Sequence, residues 1–442
     1  MKGRTSMGLA AVIVLSFVSC GAEAQSASEG ESSAQPVGAD NVKTDDRQEI
    51  EAEVAELEEG PDFTTGLPIR VDQAPEYGNP ALPSELQGQS PPNAAGGSFD
   101  TDFSRAVVSY EEVISGGPGK DGIPAIDDPR FVSREEAEEW LALKESVLVA
   151  GYTSGEVGEG KTGSGEVRIY PLQVLMWHEI VNDTLGGVPV AVTYCPLCNT
   201  GLVFLRRYDG QVLDFGTTGR LRFSNLIMYD RQTETWWQQA SGRGIAGRYA
   251  GGRLRILPVL TLSWEEARAR YPEARVLSKN TGYSRPYGQN PYAGYDTSER
   301  PFLYRGPAIS DEQEAMDRVY AVRLGGEWKA FPYEQLRRER VVQTIVGGKP
   351  LAVFWQPGQA SPLDEGDLEK GRDVGSANGF IPRAKGRELD FRFSEGHIVD
   401  RQTGSRWDAA GTAVKGPLAG VRLEPVPGTG HFWFSWQAFK NE

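Results

Sequence analysis

Once the first twenty residues are set aside, the 442-residue chain keeps only two cysteines, Cys195 and Cys198. They lie in Val188-Pro189-Val190-Ala191-Val192-Thr193-Tyr194-Cys195-Pro196-Leu197-Cys198-Asn199-Thr200-Gly201. An apolar, β-branched run enters this stretch and a second one, Leu202-Val203-Phe204-Leu205, leaves it, so the Cys-x-x-Cys pair is expected in a tight turn between two strands. That setting bears on the chemistry. A thioredoxin-like pair sits at a helix N-terminus, where the dipole lowers the thiol pKa, but nothing helical is expected after Cys198. A strand-to-strand turn instead resembles a metal knuckle, in which two sulfurs converge on one ion. His178 lies in Val174–Val181, an apolar stretch that reads as a helix just before the Cys-bearing strand. Cys195, Cys198 and His178 would then form a Cys2His set, one ligand short of a tetrahedral zinc or iron site and sufficient for three-coordinate copper. Glu179, Asp183 and Met228 are the candidates for the fourth ligand or for its support.

Two other uses of the thiols stay open. In an oxidising envelope the pair could close as a small disulfide ring, or cycle as a metal-free thiol-disulfide oxidoreductase. A non-catalytic surface binding module is the third alternative. No Gly-x-Ser-x-Gly elbow, phosphate-binding loop or dinucleotide fingerprint occurs in the strand-to-helix context that it needs.

The elements that must position these residues occur twice. Ile169-Tyr170-Pro171-Leu172-Gln173-Val174-Leu175 returns as Ala330-Phe331-Pro332-Tyr333-Glu334-Gln335-Leu336, and Leu185–Val192 returns as Val346–Val353. Later pieces also match: Leu213-Asp214-Phe215 with Leu389-Asp390-Phe391, Asp230–Trp237 with Asp400–Trp407, and Ser263-Trp264 with Ser435-Trp436. The expected architecture is α+β and strand-rich, with two tandem copies of one mixed unit packed together behind a disordered tether. The comparison is an internal control. Residues common to both copies serve the fold, whereas Cys195, Cys198, His178, Glu179 and Asp183 face Gln356, Gln359, Glu339, Arg340 and Thr344 and are candidates for chemistry. His431, in the second copy, would join the site only if the two copies pack face to face.

Several longer motifs carry a resemblance. Asp121–Asp127, Trp177–Asp183, Tyr194-Cys195-Pro196-Leu197-Cys198, Ser224–Arg231, Asn290–Tyr295 and Asp373-Val374-Gly375 together resemble a bacterial and archaeal family known only as a domain of unknown function, number 3179, over residues 118 to 440 or so. The resemblance implies a shared fold but no activity. Asn199 stands where that family usually has Gly, a change compatible with a left-handed turn because Asn tolerates that conformation.

At the N-terminus, Lys2 and Arg4 precede an apolar run that ends Phe17-Val18-Ser19-Cys20, the pattern of a bacterial lipoprotein signal (residues 1–19) with Cys20 lipidated. Residues 20–98 read as an acidic low-complexity tether, with thirteen acidic against two basic residues between 21 and 62. Residues 99–282 hold the N-terminal region and first copy, 283–317 a Tyr-rich inter-copy loop, and 318–442 a second copy without the site. A formal net charge of −15 and the lack of a Lys/Arg cluster argue against nucleic acid as a partner. The expectation is a lipid-anchored envelope protein, at the outer membrane or cell surface, that binds copper, zinc or iron. Its membrane partner is reached through Cys20, and no protein partner can be named.

Overall fold

The eight-residue strand Val188–Cys195 is rich in β-branched residues and buried along its whole length. Such a run is stable only where both faces of its sheet are covered. It pairs antiparallel with Ile180–Leu185 on one side and Thr200–Leu205 on the other, and Ile256–Leu257 completes a four-stranded sheet. In the computed structural model, residues 67–71, 80–92, 98–154 and 166–442 are described. Cys20 and the signal segment lie outside them. The described residues belong to one compact unit.

Around that sheet the chain is strand-rich with few, short helices. From Ser146 to Arg270 it runs through two strands (Ser146–Ser154, Glu166–Pro171), the helix Leu172–His178, the four-stranded sheet, the hairpins at 207–246, the strand Leu260–Ser263 and the helix Trp264–Arg270. From Arg318 to Phe439 the same order follows: strands Arg318–Leu324 and Glu327–Pro332, helix Tyr333–Glu339, strands Val341–Val346 and Lys349–Gln356, further hairpins, strand Gly428–Phe432 and helix Trp433–Phe439. The two halves touch reciprocally. Asn378 holds the backbone of Thr261 on both sides, at 2.9 and 3.0 Å, while Thr429 Oγ1 accepts from Gly201 N at 3.3 Å.

Several boundaries differ from expectation. Part of the supposed tether belongs to the fold: Ile69–Val71 extends the sheet parallel to Ser146–Ser154, and Gln87 and Gln89 donate to the carbonyls of Ala106 and Val108. The helix opened by the Ser133 capping box is a short one, Arg134–Glu138. The apolar stretch Val174–Val181 is not one helix. Glu179 adopts φ 59°, which ends the helix at His178 and turns Ile180–Leu185, headed by β-branched Ile180 and Val181, into a strand. Glu179 and Asp183 are therefore not neighbours on a helix face. Finally, Trp264 opens its helix behind the cap Ser263, and the residue that opens the corresponding helix is Trp433 rather than Trp436. Ser435 thus lies inside a helix, buried, and free of any capping duty.

Candidate functional site

The Cys-x-x-Cys segment is a turn between strands. Cys195 ends its strand, Pro196–Cys198 makes one 3₁₀ turn, and Asn199 reverses the chain with φ 52° before Thr200–Leu205 leaves. Pro196 suits the first helical position because no amide hydrogen is needed there, and the Asn199 amide closes the turn onto the Pro196 carbonyl at 3.1 Å. Gly201 follows because Leu148 leaves no room for a β-carbon, which would come within 2.9 Å of it.

Both thiols are free and at most 1% exposed. They share the Ser224 carbonyl as acceptor, at 3.9 Å from Cys195 Sγ and 3.5 Å from Cys198 Sγ. Phe223 and Ser224 both have positive φ, 52° and 64°, so the backbone itself turns that carbonyl inward. Burial pushes the Cys195 thiol well up, and the adjoining Cys198 adds to the shift. Burial also opposes ionisation of Cys198, yet contacts from Cys195, Ser435 and Asn225 outweigh it and hold this thiol below its ordinary value. The pair titrates as a unit, so its two steps belong to both sulfurs together. Glu179 adjoins Cys195. Its carboxyl is raised well above the usual range, first by burial and then by Cys195, which favours its neutral form.

Glu179 also lines a cavity of about 450 Å³, together with Leu197, Leu226, Arg220, Tyr292 and Tyr295. The loop between the halves forms its outer wall. Tyr295 Oη donates to the Leu197 carbonyl at 2.9 Å, pinning that loop to the Cys turn. Ser224 Oγ donates to the Phe302 carbonyl. This long connection is ordered, with only a 3₁₀ turn at Tyr295–Thr297 for secondary structure.

A family model described as a protein of unknown function (DUF3179) matches residues 120–442. The chain belongs to this family. No curated protein and no solved structure matches it.

In this DUF3179 chain the thiols and Glu179 come together, and Met228 shares only the thiols' wider apolar cluster; the other candidates lie elsewhere. Met228 is fully buried in the apolar cluster that holds both cysteines. His178 is committed elsewhere: Nδ1 lies 2.8 Å from the Pro124 carbonyl, and Nε2 lies 2.6 Å from Tyr287 Oη. The left-handed Glu179 after it separates the imidazole from the Cys turn. Asp183 binds Arg168 and, at 2.7 Å, Tyr170 Oη. Among the described residues no three His, Cys, Asp or Glu side chains are grouped closely enough to hold a metal.

The second half contributes more to the DUF3179 site than the expectation of a site-less partner allowed. His431 Nδ1 meets Thr200 Oγ1 at 3.1 Å, two residues beyond Cys198, and its Nε2 is buried without a partner. Phe432 and Phe434 pack in the same cluster as the sulfurs, and buried Ser435 lies near Cys198 with no hydrogen bond of its own. Arg220 was not anticipated. The one available signal was Gly219 inside the strand-like run Phe215–Arg222, since an isolated Gly there marks a bulge.

Proposed function

We propose that the buried pair is a metal-free dithiol that cycles with a disulfide, and that the two halves are copies of one unit of which only the first carries this chemistry. The observation that carries the reading is a juxtaposition: two free, buried thiols converge on the Ser224 carbonyl beside Glu179, which lines a cavity. With an organic disulfide R–S–S–R′ as oxidant, the Cys198 thiolate attacks one sulfur and R′S⁻ leaves, taking the Glu179 proton. The Glu179 carboxylate then accepts the Cys195 proton, and the Cys195 thiolate displaces RS⁻ from Cys198. RS⁻ is protonated from water, and two thiols have been made for one new Cys195–Cys198 disulfide. Both sulfurs are enclosed and neither lines the cavity, so a substrate that enters there must be small and reach them past Glu179 and Leu197, which do line it. Cys20 and the acidic stretch after it support a lipid anchor in the cell envelope, with the membrane as partner.

A metal reading keeps one specific support. Met228 adds a third soft sulfur to the same cluster, a donor set that fits copper(I) better than zinc or iron now that both His178 nitrogens are engaged.

Redox titration of the purified chain, with trapping of free thiols and peptide mapping, separates the two. The expected result is one two-electron transition that links Cys195 to Cys198 and disappears in Cys198→Ala. Stoichiometric bound metal, with two thiols that react only after a chelator is added, would overturn the dithiol reading.

A further inference from the structure

The cavity beside Glu179 has an unusual wall. The strand Phe215–Arg222 pairs with Asn225–Asp230, but Thr217 stands opposite Met228 and Arg220 opposite Ile227, so Thr218 and Gly219 are extra residues in a bulge. The bulge is well secured. Thr218 Oγ1 donates to the Ile227 carbonyl at 2.5 Å and accepts the Arg220 amide at 3.0 Å, and Gly116 N donates to the Gly219 carbonyl at 2.9 Å. Only Gly fits at 219: φ is +69°, and a β-carbon there would lie 2.0 Å from the Pro118 carbonyl oxygen. In the second half the corresponding strand, Phe391–Ser394, pairs with His397–Asp400 in unbroken register. The fold therefore does not need the bulge. Bulges of this kind re-aim a side chain at a site, and the side chain re-aimed here is Arg220.

Arg220 has one protein partner for its guanidinium, Ser115 Oγ, which accepts from Nη1 at 2.9 Å. Its Nε is buried and makes no hydrogen bond. Among the described residues no carboxylate pairs with it, and burial alone lowers its pKa. A half-exposed guanidinium whose buried Nε donor is idle gains from an incoming acceptor, and a carboxylate matches its fork best. The rest of the cavity is apolar and aromatic, with Leu221, Leu226, Tyr292, Tyr295 and Phe302 around it. Glu179, whose carboxyl is biased by burial toward its neutral form, repels an anion less there and in that form can donate a hydrogen bond.

We propose that this cavity binds a small organic carboxylate with an aromatic or otherwise apolar body, its carboxylate held by the Arg220 guanidinium. The site stands apart from the thiol chemistry, since neither sulfur is needed for it. If both readings hold, the small substrate of the dithiol is itself such an acid.

The experiment is calorimetric titration of the full chain with three probes of one shape: 3-phenylpropanoate, its amide and 3-phenylpropylamine. The acid should bind, the amide about tenfold or more weakly, and the amine not at all. Arg220→Gln should lower affinity for the acid about tenfold or more, and Arg220→Lys, which keeps the charge but lacks the fork, should fall between. On the unmodified protein, the Arg220 Nε–H proton resonance should move downfield as the acid binds, which covers the case in which a variant fails to fold. Equal affinity for acid and amide, an unmoved Arg220 resonance, or no binding of any probe would overturn the proposal. The dithiol reading is judged by disulfide mapping on ligand-free protein, so either reading can fail without the other.

Discussion

The Cys turn and the Gln turn occupy matching places in the two halves. Glu179 has φ 59° and Arg340 has φ 67°; each donates its amide to the carbonyl four residues back at 2.7 Å, and each carbonyl accepts from the following strand at 2.9 Å, from Tyr194 and Trp355. Asp230 and Asp400 each accept the indole N–H of a Trp seven residues on at 2.9 Å and the amide of a Thr at 2.6 Å. What differs is local. Cys195 and Cys198 become Gln356 and Gln359, the Thr218-Gly219 bulge is absent, and buried Glu179 becomes Arg340, whose guanidinium lies 4.6 Å over the Trp355 ring. The left-handed backbone at Glu179 is therefore scaffold, common to both halves. Its burial beside a thiol belongs to the site alone.

Exchanging these two residues gives the largest expected effect. Glu179→Arg would bury a guanidinium with no carboxylate beside it, a destabilisation of about 4 kcal/mol or more that should leave little folded protein. Arg340→Glu loses only a half-exposed cation–π contact, about 1 kcal/mol. Urea denaturation of both variants checks the contrast, with Glu179→Gln, which keeps the shape without charge, retaining the fold. Similar losses in the two exchanges would mean that the halves differ less in burial than the structure shows.

Each turn also has a titratable neighbour from the opposite half, and the two neighbours respond oppositely to pH. His431 beside Thr200 is pushed down to about 3 by burial. The unfolded chain takes up that proton below about pH 6.5 and the folded one does not, so stability falls as pH drops, by about 2 kcal/mol at pH 5. Glu266, near Ser376 in the second half, is pushed up to about 7 by burial, only partly offset by hydrogen bonds from Ser263 and Ser376. Its contribution is complete below about pH 4.5 and is lost as pH rises through 7, about 3 kcal/mol in all. Glu145, also raised to about 7 by burial, acts in the same sense. Unfolding free energies measured from pH 4 to 8 should show that His431→Leu flattens the acid limb and Glu266→Gln the alkaline limb. If His431→Leu leaves the acid limb unchanged, His431 is not the buried neutral neighbour described here.

Much of this layout can be read from the residues. Pro196 and Asn199 between two β-branched runs specify a strand-to-strand turn, and the constant spacing of the Pro171/Pro332 and Gly-Gly pieces identifies matching elements. The capping pair Ser133 and Glu136 marks the start of the short helix Arg134–Glu138. What is not legible is set by tertiary contact. Residues 174–181 suit a helix by hydrophobicity, and only the left-handed break at Glu179 decides that His178 turns toward Tyr287 while Glu179 faces the thiol. The approach of His431 and Ser435 to the Cys turn depends on reciprocal packing of distant segments, which no local pattern encodes.

The smallest expected effect tests whether the loop between the halves guards only the Cys turn. Tyr295 joins the loop to that turn by donating to the Leu197 carbonyl at 2.9 Å, and its oxygen accepts from Phe302 N at 3.3 Å. Tyr295→Phe removes both neutral hydrogen bonds; the exposed Phe302 amide can turn to water, so the main loss is the donor to the Leu197 carbonyl, about 1 kcal/mol. The ring remains, so the apolar wall against Phe432 persists, with centroids 5.9 Å apart in the parent protein. The variant should therefore melt almost as the parent does. Leu197 should open more often, and Cys195 and Cys198 should react severalfold faster with a small alkylating reagent under native conditions, as expected of local rather than global opening. If thiol reactivity rises only in proportion to the loss of global stability, the loop packs against the turn without controlling access to it.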